Sequence, residues 1–87
     1  RREIKMIKNS EIASRLRTIR EYVGLTQVEV SAETGIPQSS LSAYELDSKN
    51  APASAVALLA QCYCCSADLI LGMVDSGIVR NNGEIHF

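Results

Sequence analysis

Residues 27–45 read QVEVSAETGIPQSSLSAYE: two short helix-forming runs with Gly35 at the bend and the second run starting within three residues. Thr26 and Glu29 frame the first run as a capping box, in which the hydroxyl and the carboxylate satisfy free backbone amides reciprocally. Val30, Ser31 and Thr34 are small or β-branched, which lets another helix approach closely, and Gly35 stops the run. Ile36-Pro37 then opens the second helix, with proline read at the first helical position, where its missing amide proton costs nothing. Leu41 and Tyr44 face inward. Two helices joined this tightly must cross steeply, so the second stands out from the surface on a platform made by the others, the geometry of a helix that enters a groove.

The flanking sequence supplies that platform. Before the pair, Ile12, Leu16, Ile19 and Val23 recur at helical spacing from Ser10 onward, and Gly24 closes that helix. After it, Asp47-Ser48-Lys49-Asn50-Ala51 is a polar connection. Pro52 opens a fourth helix whose core stripe is Val56, Leu59, Ala60 and Tyr63, continued by Cys65. Ser66 caps a last short helix, Ala67 to Leu71, closed by Gly72. From Met73 the character changes: Ile78-Val79-Arg80 and Glu84-Ile85-His86-Phe87 flank the turn signal Asn81-Asn82-Gly83. The reading is therefore all-α: a compact five-helix domain over residues 10–72, preceded by a basic arm over 1–9 and followed by a tail over 73–87 able to form a β-hairpin or dimerisation ribbon.

Composition bounds the function. A chain of 87 residues, 46 % hydrophobic and 22 % charged, holds one ordinary core and no large substrate pocket. The most apolar run, Ala51 to Cys65, is broken by Pro52, Ser54 and Gln61 and is too short to span a bilayer. The opening residues are basic but lack the apolar stretch and cleavage site of a secretory signal, and position 1 is not Met, so a trimmed chain without a leader is expected. Cys62, Cys64 and Cys65 cannot staple distant parts of a fold, and they read as thiols in a reducing, cytoplasmic setting. With His86 as the one histidine, no metal, cofactor or enzyme active site is expected. Net charge is −1, but its distribution is polarised. Residues 1–20 carry seven cations against Glu3 and Glu11, a net of +5; residues 21–87 carry Lys49 and Arg80 against eight acids, a net of −6.

The run TQVEVSAETGIPQSSLSAYELDSKNAP, residues 26–52, resembles the Cro and phage-repressor (XRE-type) class of helix-turn-helix DNA-binding domains, and the resemblance extends over residues 10–72. It implies roles for individual positions. Gln27 matches a glutamine that binds a backbone phosphate and packs on the first residue of the recognition helix, here Gln38. Gln38 suits the N6 and N7 edge of adenine. Ser39, Ser42 and Ala43 match the other base-facing positions, with Ser40 turned toward the backbone. Lys49 and Asn50 fall where relatives meet the sugar–phosphate chain, and Arg20 and Glu45 match a structural ion pair. The sequence also departs from the family. Pro37 replaces a capping Ser or Thr, Asp47 replaces a closing Gly and would repel phosphate, and no cation lies between Gly35 and Ser48.

With a neutral recognition helix, phosphate contacts must supply affinity. Arg17, Gln27, Lys49 and Asn50 are the candidates within the domain; the arm residues Arg1, Arg2, Lys5 and Lys8 form either a further contact or a solvated leader. Together these features predict a sequence-specific DNA-binding repressor that reads a palindromic operator on double-stranded DNA as a homodimer, with no membrane association. The last helix and the apolar tail residues Ile78, Val79, Ile85 and Phe87 are the candidate dimer surface. The alternative is a protein-interaction module of the same fold, antitoxin-like or binding a partner regulator, for which the acidic balance of residues 21–87 argues.

Overall fold

The computed structural model describes residues 7–73, together with the backbone of two short strands at 78–80 and 83–85. Among these residues the elements are α1 (Asn9–Val23), α2 (Gln27–Thr34), α3 (Gln38–Glu45), α4 (Ala53–Tyr63), α5 (Ala67–Leu71), β1 (Ile78–Arg80) and β2 (Gly83–Ile85). The strands pair antiparallel with Ile78 opposite Ile85. Residues 1–6, and the side chains of the tail proposed for dimerisation, lie outside what is described.

Several helix ends follow from a local cause. Thr26 Oγ1 accepts from the Glu29 amide at 3.1 Å while Glu29 Oε1 accepts from the Thr26 amide at 2.9 Å, so the capping box forms in full. These bonds to Thr26 hold the Glu29 carboxyl below its usual range. Ser66 Oγ accepts from the Leu69 amide at 3.2 Å. At the end of α1, Gly24 adopts φ 81° and the Leu25 amide returns to the Arg20 carbonyl at 3.2 Å, the paired closure that a left-handed residue permits. Pro37 is not inside α3, as its sequence position suggested, but sits one residue ahead as the N-cap. The backbone therefore turns one residue later than the proline rule alone implies.

α4 ends differently. Cys64 takes the left-handed conformation, φ 55°, with the Cys65 amide returning to the Ala60 carbonyl at 3.0 Å. A residue with a Cβ is strained there. Cys64 is exposed and Cys62 half-buried; burial pushes the half-buried Cys65 thiol up to about 11. The three cysteines thus do not share one role: Cys62 and Cys65 pack against the core, while Cys64 turns the chain.

α1 packs on α3 and α5, α2 on α3 and α4, and α4 on α5. Their shared core contains Leu16, Ile19, Val30, Leu41, Leu59, Tyr63, Leu69 and Ile70, each no more than 2 % exposed. At about 1.5–3 kcal/mol per large apolar side chain, this interior, rather than intrinsic propensity, holds the eight-residue helices α2 and α3. Arg15 adds a polar join: its Nη1 donates to the Leu69 carbonyl at 3.2 Å, placing a cation at the carboxyl end of α5. A Cβ at Gly72 would lie 3.3 Å from Arg15 Nε. No helix among the described residues is long and apolar enough to cross a membrane.

Replacing Cys64 with Gly removes the left-handed strain without emptying a buried site. The variant Cys64→Gly is expected to gain on the order of 0.5–1 kcal/mol in urea denaturation, the strain relief being partly offset by a freer unfolded chain.

Candidate nucleic-acid interface

The connection between α2 and α3 is fixed by side chains as well as by Gly35. Gly35 adopts φ 80°, and its amide donates to the Ser31 carbonyl at 2.9 Å. Thr34 Oγ1 donates to the Val30 carbonyl at 2.8 Å and accepts from the Ile36 amide at 3.2 Å; Ser31 Oγ donates to the Ile36 carbonyl at 2.6 Å. Ser31 and Thr34 therefore stitch the bend, a role beyond the small size read from sequence. Ile36 is buried just before the N-cap of α3, which anchors the start of that helix.

On α3, Leu41 and Tyr44 are buried. Gln38 and Ser39 are exposed, and Ser40, Ser42 and Ala43 are all half-buried. One side of the helix thus enters the core while its amino-terminal outer side meets solvent. Ser42 also lines a cleft of about 180 Å³ with Arg17, Arg20, Gln27, Glu45 and Leu46, so three of the DNA-contact candidates, Arg17, Gln27 and Ser42, meet the ion-pair candidates Arg20 and Glu45 at one place. Lys49 and Asn50 are exposed in the connection after α3 and do not line that cleft.

The ion pair forms part of the wall of this cleft. Arg20 Nε donates to Glu45 Oε2 at 2.7 Å and Nη2 to Oε1 at 3.1 Å, with the two side chains 13 % and 5 % exposed. The third guanidinium nitrogen, Nη1, donates to the Leu25 carbonyl at 2.8 Å. The hydrogen bonds and charge of Glu45 hold the Arg20 guanidinium protonated beyond its already high range. Gln27 Nε2 donates to Glu45 Oε1 at 3.1 Å, so its amide meets the end of α3, a contact additional to the phosphate role that the resemblance implies. Arg17 Nε is 3.2 Å from Glu21 Oε2 in an exposed pair one turn apart. Nothing in the residue spacing signals the Gln27 contact, because it depends on how α2 crosses α3.

One departure from the familiar pattern, Asp47, has a structural counterpart. α3 ends at Leu46 in a near-helical conformation, and Asp47 takes the left-handed step, φ 61°, where the resemblance would place a glycine. Asp47 Oδ1 also accepts a hydrogen bond from Asn9 Nδ2, a contact between the α3–α4 connection and the start of α1. Among the described residues there is no group of three His, Cys, Asp or Glu side chains able to hold a metal ion.

Residues 11–71 match the family model described as a helix-turn-helix domain. The chain belongs to this helix-turn-helix family. Within it, the chain is 39 % identical over 61 residues to YobD of Bacillus subtilis (strain 168), named as an uncharacterized HTH-type transcriptional regulator. The match covers 70 % of this chain and 54 % of YobD, so the chain spans about half the length of that relative. Among solved structures, the restriction-modification controller protein C.AhdI from Aeromonas hydrophila superposes with a TM-score of 0.68 at 21 % identity, covering 71 % of this chain and 94 % of that one. The P22 c2 repressor protein, solved in complex with a synthetic operator, gives 0.64 at 20 % identity, covering 69 % and 91 %. The fold is that of the phage-repressor-like helix-turn-helix domains.

The buried pair generates a stability prediction. Glu45→Ala leaves the Arg20 charge enclosed without its partner and is expected to cost about 3–5 kcal/mol in denaturant unfolding. Replacing both charges, Arg20→Leu with Glu45→Met, is expected to restore most of that loss. A single replacement costing under ~1 kcal/mol would show that solvent already screens the pair.

Proposed function

We propose that the chain is a sequence-specific DNA-binding regulator, a repressor, that inserts α3 into the major groove and reads a palindromic operator as a homodimer. The observation that carries this reading is the outward presentation of Gln38 and Ser39 on a helix whose opposite side, Leu41 and Tyr44, is locked in the core. A glutamine at the exposed start of a helix can donate and accept together at an adenine edge; Ser39 and Ser42 can meet any polar edge, and Ala43 suits a thymine methyl. The P22 c2 repressor, which has the same fold, was solved on an operator.

In this reading the neutral helix selects and its borders attach. Arg17, Lys49 and Asn50 supply phosphate contacts, together with the amino-terminal end of α2 at Gln27. A module of this size reads few base pairs, so two copies on half-sites about one helical turn apart provide the required specificity. The regulator is placed in the cytoplasm, where its DNA is.

Selection from random duplexes followed by fluorescence anisotropy tests the division of labour. Gln38→Ala is expected to relax preference at one or two base pairs by about 1–3 kcal/mol, whereas Lys49→Ala is expected to weaken every duplex alike and reduce the salt slope by about 0.9. Equal effects of both variants on all sequences would overturn these roles. Indifference to duplex at 50 mM salt would overturn the DNA-binding reading and favour a protein partner.

A further inference from the structure

An acid on an edge meant for phosphate is a cost, and the place of Asp47 in the fold shows what it supplies in return. α3 closes around it: the Ser48 amide returns to the Ala43 carbonyl at 3.0 Å and the Asp47 amide to the Tyr44 carbonyl at 3.4 Å, with Asp47 at φ 61°. This paired closure needs a left-handed residue and no particular side chain, and glycine meets it without the strain that a Cβ brings. What glycine lacks is a carboxylate. Asp47 Oδ1 accepts from Asn9 Nδ2, 38 residues away.

Burial does not set the course of this connection. Every residue from Leu46 to Asn50 is exposed, and the next side chain packed on the core is half-buried Ala51. Hydrogen bonds hold it instead. Ser48 Oγ donates back to the Ala43 carbonyl at 3.3 Å, which ties the connection to α3. Asn9 ties it to α1, a helix that Ala13, Leu16 and Ile19 sink into the core. The two ties fall on neighbouring residues, immediately ahead of Lys49 and Asn50. The Asn9 bond also engages the charge: an Asp47 released from it is free to pair with Lys49, two residues on, and so to cancel the cation that a phosphate would meet.

We infer that Asn9 is a positioning residue for the phosphate-binding edge: through Asp47 it fixes the course of residues 47–50 and keeps the carboxylate off Lys49, without itself touching DNA. This rests on the DNA-binding reading above and adds to it a residue of α1 that acts on the far side of α3.

The test uses the full chain, Asn9→Ala, Lys49→Ala, the double variant and Asp47→Asn, on one selected operator and one unrelated duplex. The readouts are fluorescence anisotropy from 50 to 200 mM salt and, in the free protein, backbone amide order parameters from nuclear magnetic resonance. Asn9→Ala is expected to weaken both duplexes alike, by about three- to tenfold, and to lower the order parameters of Lys49 and Asn50, while the preferred sequence stays the same. In that background Lys49→Ala is expected to cost less than in the parent, because the cation is already misplaced. Asp47→Asn keeps an acceptor for Asn9 and is expected to retain the parent's order and to bind both duplexes at least as tightly; a loss of order there would overturn the acceptor role of residue 47. A Lys49→Ala effect of equal size with and without Asn9 would overturn the inference and leave the DNA-binding reading in place. Order parameters unchanged in Asn9→Ala would overturn the tie itself, whatever the protein binds. A parent that ignores duplex at 50 mM salt would overturn the reading beneath and the inference with it.

Discussion

The guanidinium of Arg20 meets three elements at once. Its two bonds to Glu45 reach the end of α3, its bond to the Leu25 carbonyl reaches the α1–α2 connection, and Glu45 in turn receives the amide of Gln27 at the start of α2. A charge this enclosed tolerates little variation in geometry, because each displaced bond exposes an uncompensated donor or acceptor in a low-dielectric setting. The angle at which α3 stands on α1 and α2 is accordingly set by polar geometry as well as by the apolar interior beneath it. The outward position of Gln38 follows from that angle.

In the proposed function, recognition and attraction fall to different residues. The exposed part of α3 carries an amide, hydroxyls and a methyl, and no cation lies between Gly35 and Ser48. Hydrogen bonds to base edges discriminate over short distances, whereas cations near phosphate act on every duplex through counterion release. On that reading the surplus of acids over residues 21–87 discourages indiscriminate adhesion to DNA by the rest of the body.

Much of this was legible in the sequence because it depends on local chemistry. Thr26 with Glu29, Ser66 with Gly72, and the stripes through Leu16 and Ile19 or Leu59 and Tyr63 are rules of spacing within one helix, and the residues occupy the expected places. What escaped is what the crossing of helices creates. The bond from Gln27 to Glu45, the bond from Asn9 to Asp47 and the cap that Arg15 provides for α5 join residues 18, 38 and 54 positions apart, and no periodicity encodes such pairs. Cys64 shows another limit. A left-handed closure is anticipated from glycine, and the cysteine there conceals a backbone step that the returning Cys65 amide makes plain.

The bend between α2 and α3 is secured from within, by Ser31, Thr34 and Gly35, none of which lies on the outward side of α3. Gln38 and Ser39 are exposed, Ser42 and Ala43 are half-buried, and none of the four is among the residues that fasten that bend. Frame and lettering are thus held by separate sets of side chains. If the proposed function holds, exchanging those four would alter the target without disturbing the bonds that fix the bend.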